Sequence, residues 1–473
     1  MRINRKLALG LLCILLSCLI CACMRLGPDY VPPQPPADMP SAYQHAPTGE
    51  HQLPAPADAW WHAFQDPELD RLVAAVLTNN FDIRKAVAAV LEVRAQFRET
   101  RADRWPSVSV EARASQTRQT TAGGLTGSAA TATTESYSLF LPATFELDLW
   151  GRLARAEDAL RAQLLAAEEN RLAVAQTVVA ETVSLYLKKI ALERELHVTR
   201  RSVEAYQDSR DLVTRRYNKG LTSILDVRQA RRILAQTEAG LPLLVQELGL
   251  TQQNLELLAG RYPFSRPEKT PPEDYYVSYP RVPAGLPSNL LGRRPDIRTA
   301  EARLKALHAQ VGVAYASRFP RITLTGQWGY RSDDLSSLFD SESELWNMAA
   351  GLVQPLFDFG KRKAAQRAAQ ARFIQGQVDY ARTVLSAFAD VESALLTRQQ
   401  QLQRRERVLL FLSEARATQK TAQQRYERGL VDYLTVLEAQ QVRFRAELEL
   451  IQVEKAIYQN RVALHRALGG GWG

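Results

Sequence analysis

The sequence predicts a mainly α-helical protein with a membrane β-barrel portion, built as one duplicated unit of two strands plus long helices. Three observations carry this reading. The first is an internal repeat. Arg104-Trp-Pro-Ser-Val-Ser-Val returns as Arg318-Phe-Pro-Arg-Ile-Thr-Leu, with 320 − 106 = 214 between the prolines, and Asp82-Ile83-Arg84 returns at that spacing as Asp296-Ile297-Arg298. Asp148 with Gly151-Arg152 is answered by Asp358 with Gly360-Lys361-Arg362, at 358 − 148 = 210. Tyr217-Asn-Lys-Gly220-Leu221 is answered by Tyr426-Glu-Arg-Gly429-Leu430, at 429 − 220 = 209. Anchors that keep one order at nearly one spacing mark a duplicated structural unit.

The second observation is two proline-free stretches, Gly151 to Arg216 and Gly360 to Arg425, rich in Ala, Leu, Glu, Gln and Arg with apolar residues recurring at three and four. At 1.5 Å per residue each makes a helix about 100 Å long. A helix of that length belongs to a coiled coil or a tube wall. Each run closes near a glycine, Gly220 or Gly429, suited to a left-handed helix stop. Further helical runs follow, Leu225 to Leu258 and Leu434 to Ala467, so the intervening residues are hairpin tips.

The third observation is a switch of hydrophobic period. From Tyr137 to Leu149 the odd positions are Tyr, Leu, Leu, Ala, Phe, Leu and Leu, while Ser138, Thr144, Glu146 and Asp148 alternate with them. Period two is the pattern of a strand with one apolar face. The second copy shows it from Ile322 to Tyr330. Strands are expected at about 106–119 and 136–149, and again at about 320–331 and 346–359, the last with a bulge near Gln354-Pro355. Polar loops join each pair, Gln119 to Glu135 and Ser332 to Glu344. Strands of ten to thirteen residues suit a tilted crossing of an outer membrane, but bacterial barrels need about eight strands and lipid tolerates no open edge. Four strands must therefore oligomerise, unless they form a soluble sheet on a helical bundle.

The domain organisation follows. Residues 1–22 form a signal peptide, 23–60 an extended arm, 61–260 the first repeat, 261–287 a linker with seven prolines, and 288–473 the second repeat. Arg2, Arg5 and Lys6 precede the apolar run Leu7 to Met24, the layout of an export signal. Ala22-Cys23 puts a small residue before a cysteine, the pattern of a bacterial lipoprotein, with acylation expected on Cys23; Cys18 offers a competing site. All four cysteines lie in the first 23 residues, so no disulfide framework exists in the body.

Composition excludes other classes. With 60 basic and 51 acidic residues in 473 and a mean hydropathy of -0.25, a multi-span helical membrane protein is ruled out. The net charge of +9 is interleaved along the chain, which reads as a solvated mixed face and not a nucleic-acid surface. The six histidines are dispersed, and no G-x-S-x-G, Walker or H-E-x-x-H motif is present. No catalytic or metal site is expected, and no cofactor beyond a covalent lipid on Cys23.

The sequence resembles the TolC-like outer-membrane efflux protein family, in the lipoprotein branch typified by OprM and NodT. The resemblance rests on Cys23 with Gly27-Pro-Asp-Tyr30, Trp60-Trp61 with Phe64 and Asp66-Pro67, Phe145-Glu-Leu-Asp-Leu-Trp-Gly-Arg152, Leu290-Leu-Gly-Arg-Arg-Pro-Asp-Ile297, Tyr433-Leu-Thr-Val-Leu437, and the end Ala467-Leu-Gly-Gly-Gly-Trp472. It implies a homotrimer whose three sets of strands close a twelve-stranded barrel in outer-membrane lipid, above a helical periplasmic tunnel. It implies a duct that works with a periplasmic adaptor (a membrane fusion protein) and an inner-membrane pump of RND type. A type I protein-secretion duct and a structural coiled-coil lipoprotein are the alternatives. By motif position the resemblance assigns a gate to Asp226 and Tyr426, a hydrogen-bonded latch, with Leu434 and Glu438 at the aperture. It assigns adaptor contact to Gly220, Leu221, Gly429 and Leu430. Two positions depart from the family pattern: Val431 replaces a basic residue, and Glu438 replaces Asp.

Overall fold

The computed structural model of the protein describes residues 26–27, 29–32, 42–45, 59–121, 130–264 and 287–470. The signal peptide, Cys23, most of the arm and nearly all of the proline-rich linker lie outside the described residues. A 3-10 turn at Trp60–Phe64 opens the regular structure, followed by α1 (Pro67–Asn79), α2 (Phe81–Ala102), β1 (Ser107–Val108), β2 (Glu111–Thr121), β3 (Ala130–Leu147), α3 (Arg152–Asn218) and α4 (Ile224–Leu258). The second half runs α5 (Pro287–Arg293), α6 (Pro295–Ala316), β4 (Arg321–Ser332), β5 (Glu344–Val353), α7 (Lys361–Glu427) and α8 (Tyr433–Ala467). Among the described residues no helix is long and apolar enough to cross a membrane.

The repeat is kept residue for residue in three pairs of helices. α3 and α7 have 67 residues each, α4 and α8 have 35 each, and both pairs start 209 apart (361 − 152 and 433 − 224). α2 and α6 have 22 residues each and start 295 − 81 = 214 apart. The five-residue difference falls in the loops between the strands.

The chain divides into two compact units. One holds Val90–Ala167 and Ala300–Tyr380 with the described residues 26–32, and so contains every described strand. Its antiparallel sheet places β1 and β2 together on β3, β3 on β4, and β4 on β5. The strand expected at 106–119 is broken at Ser109-Val110. Pro142 lies opposite, between the registered partners of Val108 and Glu111. It accepts from the Ser109 amide at 3.1 Å but has no N–H to return. The strand expected at 346–359 is likewise corrected: it begins at Glu344 and stops at Val353. Gln354-Pro355 is its end and not a bulge, with the Gln354 side-chain Nε2 donating to the Arg318 carbonyl at 3.2 Å.

The strand-to-helix junctions explain the recurring Asp-x-x-Gly and Asp-x-Gly. Asp148 accepts from the amides of Leu153 (3.0 Å) and Ala154 (2.7 Å), and Asp358 from those of Gly360 (3.0 Å) and Arg362 (3.3 Å). Each carboxylate satisfies amides that a helix start leaves unpaired and faces the positive end of the helix dipole.

The other unit comprises the described parts of Glu168–Thr299 and Ala381–Gly473, with residues 42–45 and 59–89. Trp60, Trp61 and Phe64 are buried against Leu69, Val183 and Tyr458. Asp66 caps α1 by accepting from the Glu68 and Leu69 amides, Pro67 occupies the first turn, and the Tyr186 hydroxyl donates to Asp66 at 2.7 Å. Two buried glutamates tie α8 to its neighbours. Glu447 is held by Arg201, Arg416 and Arg443, and Glu454 by Arg194 and Arg405, all between 2.9 and 3.3 Å.

Arg294 is the clamp of this unit. Its buried guanidinium donates to Asp296 at 2.7 Å, to Asp390 at 3.0 Å and to the Ala467 carbonyl that ends α8 at 3.1 Å. Burial pushes the Asp296 carboxyl up, but the Arg294 bonds outweigh it and hold that group below the ordinary carboxylate value. A depressed carboxylate stabilises the fold above the unfolded pKa of about 3.9, and that contribution is lost as pH falls through the folded value. Arg294→Ala should therefore lower stability in urea unfolding by about 1–3 kcal/mol at neutral pH, since it removes the donor to the buried Ala467 carbonyl as well as the carboxylate bonds. The gap to the unaltered protein should narrow below about pH 4; a gap that is constant with pH contradicts the clamp.

Candidate functional site

The sheet has two chemically distinct faces. Registered partners put Leu139 beside Tyr330, Leu141 beside Trp328, Phe145 beside Leu324 and Leu147 beside Ile322; across β4, Trp328 meets Trp346 and Ile322 meets Leu352. This face is apolar from edge to edge and open to solvent, with Trp346 at 72% and Met348 at 82% exposure. The opposite face carries Thr144, Glu146, Thr323, Thr325, Gln327 and Arg331. Phe140 breaks the pattern, a buried ring on the polar face. The space it needs comes from its partner Gly329, where a Cβ would fall 2.7 Å from the Phe140 ring and 2.0 Å from the Leu139 carbonyl oxygen. The Arg331 guanidinium sits 5.7 Å from the ring centroid.

Aromatic residues gather at both ends of the strands. Trp328, Tyr330 and Phe339 pack edge to face at one end; at the other, Trp150 stacks on Phe319, which meets Tyr315 edge to face. Phe319 and Trp328 are 328 − 319 = 9 residues apart. At about 3.4 Å per residue and a tilt of about 40°, that spans roughly 23 Å along a barrel axis, close to the ~25 Å apolar band of an outer-membrane barrel. Among the described residues β5 pairs only with β4, and β1 and β2 only with β3, so both edges are open.

The hairpin tips form the second candidate region. At the end of α3 the Leu221 amide donates to the Arg216 carbonyl (2.9 Å) and the Gly220 amide to that of Tyr217 (2.8 Å); Leu430 and Gly429 repeat both bonds on Arg425 and Tyr426. Gly220 has φ +71° and Gly429 φ +73°, and a Cβ at either would meet nothing within 4 Å. The glycines are thus demanded by backbone conformation and not by close packing. Leu221 and Leu430 beside them are exposed.

Asp226 and Tyr426 share this neighbourhood without forming the expected latch. Asp226 closes a capping box with Ser223 at the start of α4, and its carboxylate also accepts from the Thr222 hydroxyl. Tyr426 is only 5% exposed, and its hydroxyl has no hydrogen-bond partner among the described residues. Arg216 lies over its ring, 4.7 Å from the centroid, and Tyr433 packs beside it. Burial pushes the Tyr426 hydroxyl pKa up; Arg216 opposes this and the Asp226 charge adds to it. Leu434 and Glu438 are both exposed on the opening turns of α8. Cys23 lies outside the described residues.

A sheet with a continuous exposed apolar face, aromatic ends and open edges defines an outer-membrane β protein, here joined to long helical hairpins. The chain belongs to the outer membrane efflux protein family, whose model matches residues 72–261 and 286–470. It is similar to the cation efflux system protein CusC of Escherichia coli O6:H1, 34% identical over 97% of this chain and 98% of that protein. It is similar to the pyoverdine export outer membrane protein OpmQ of Pseudomonas putida, 33% identical over 98% and 97%. Among solved structures, the outer-membrane channel OprN matches with a TM-score of 0.86 at 31% identity, covering 94% of this chain and 99% of that one. The protein is an outer-membrane efflux channel component with a helical periplasmic tunnel, and not an enzyme.

The tip geometry separates two residues that the resemblance treats as a pair. Asp226→Ala, which removes half of a capping box, should cost about 1 kcal/mol in urea unfolding. Tyr426→Phe should cost nothing or stabilise slightly, because it deletes a buried hydroxyl that has no partner. A clear loss of stability in Tyr426→Phe would contradict the unpartnered hydroxyl.

Proposed function

We propose that this chain is the outer-membrane duct of a tripartite efflux system, working as a homotrimer with a periplasmic adaptor and an inner-membrane pump of RND type. The observation that carries the reading is the sheet, apolar on one face, polar on the other and open at both edges. Only closure with further copies satisfies its edges in lipid, and three copies give twelve strand positions around a polar bore. Acylation of Cys23 supplies one anchor and the barrel the second, since a single chain of lipid holds a membrane only marginally.

The tips give the partner surface. Leu221 and Leu430, held outward by the glycine turns, offer apolar contacts to the adaptor, with Gly220 and Gly429 fixing their direction. Leu434 and Glu438 line the closing end of the duct, and three copies of Glu438 form an acidic ring that favours cations. Asp226 and Tyr426 act at the same end, Asp226 through the turn that it caps and Tyr426 through the buried aromatic cluster beneath it.

Reconstitution of the purified full-length protein in planar bilayers tests the duct directly. Discrete conductance steps with cation preference are expected, and Glu438→Gln should reduce that preference at least twofold without abolishing the steps. A protein that forms no pore would be a scaffold and would end the proposal.

A further inference from the structure

The polar face of the sheet carries its charge unevenly. At the end next to the helices the guanidinium groups are matched: Arg152 donates to Glu146 at 2.9 Å, and Arg321 lies 3.7 Å from the same carboxylate. At the other end, one position from Tyr137 with Ser332, the last β3–β4 pair, a single row crosses three strands. Ser138 of β3 is registered with Arg113 of β2 on one side and with Arg331 of β4 on the other. Ser138 alternates in step with Thr144 and Glu146, so the serine and both arginines stand on the polar face. Both arginines are exposed. Neither forms an ion pair among the described residues, although Glu111 lies on the same face and Asp333 just beyond β4.

The fold holds one of these charges in place. A Cβ at Gly329 would fall 2.0 Å from the Leu139 carbonyl oxygen and 2.7 Å from the Phe140 ring, so its absence admits Phe140 to the polar face. The ring in turn seats the Arg331 guanidinium, 5.7 Å from its centroid. A guanidinium held against an aromatic ring keeps N–H groups for an oxyanion, which it binds in a two-pronged way. Arg113 stands two strand spacings away, about 10 Å, which is about one Debye length at roughly 0.1 M salt. Ser138 puts only a small hydroxyl side chain between them. The two side chains are each long enough to cover half of that gap, so they converge on one acceptor above the serine.

We propose that Arg113, Ser138 and Arg331 form an anion-binding site on the bore wall, which takes a carboxylate or phosphate group of a molecule passing through the duct. This rests on the closed-barrel reading above, in which three copies set six guanidinium groups at one level of the bore, beside the β4–β5 loops. A bridging oxyanion accepts charge-assisted bonds from both arginines and offsets their mutual repulsion. A ring of one sign within low-dielectric walls also raises the local concentration of the opposite ion. The row is opposite in sign to the acidic ring assigned to Glu438, so the duct favours cations at one constriction and retains anions at another level.

Block of the reconstituted channel by inorganic pyrophosphate tests the site. The full-length protein is placed in planar bilayers at about 0.1 M KCl, where screening is weak enough to leave the attraction. Pyrophosphate added in turn to each side should lower the unitary conductance at lower concentration from one side, where it meets the row first. Arg113→Gln with Arg331→Gln should raise the half-blocking concentration on that side by about fivefold, and each single change by about twofold, as exposed charge contacts do. Arg118→Gln removes a charge from the same strand on the opposite face, in step with Ala112 and Ala114, and should leave the block as it is. Equal block of the unaltered and doubly substituted channels overturns the site, as does a loss of block in Arg118→Gln as large as in Arg113→Gln. Those results leave the duct standing. Unaltered protein that forms no pore overturns the duct reading instead.

Discussion

Unpaired backbone N–H and C=O groups along β5 on one side and β1 and β2 on the other are the constraint on which the molecule depends. In hydrocarbon each such group costs several kcal/mol, and an open edge has no water to turn to. The apolar face that suits the sheet to lipid is therefore unusable by one chain alone. Oligomerisation is built into the fold as a requirement of hydrogen bonding, and the aromatic residues at both strand ends set the height at which the closed sheet sits.

Duplication is how one gene product meets that requirement economically. Each copy contributes two strand positions and a long helical hairpin, and the hairpins keep their lengths to the residue, 67 and 35 in both copies. The copies diverge where their surroundings differ. The joint of β3 with β4 carries the Glu146, Arg152 and Arg321 charges, while the corresponding free ends carry Pro355 and exposed aromatic rings. Tyr217 and Tyr426 occupy the same place at the two tips, yet Tyr217 is 41% exposed and Tyr426 is buried under Arg216.

Much of this was legible in the residues because it depends on local rules. The period-two run from Tyr137 to Leu149 identified the apolar face, and the glycine pair Gly220 and Gly429 marked both tips, where each adopts a positive φ. What escaped depends on neighbours far away in sequence. The break at Ser109-Val110 comes from Pro142 on the adjoining strand, and the burial of Phe140 on the polar face comes from a missing side chain at Gly329. The interleaved charges were read as a solvated face, but Glu447 and Glu454 are buried among arginines of three helices, a pairing that composition does not reveal. At the tip, the Ser223 and Thr222 groups next to Asp226 engage its carboxylate, a local competition that motif position does not reveal.

The claim that one chain is a third of a barrel is tested most directly by native mass spectrometry of the protein released from detergent micelles. The account predicts a single assembly of three chains, each beginning at an acylated Cys23. A stable species of one chain, folded and embedded with its sheet edges unpaired, would contradict it.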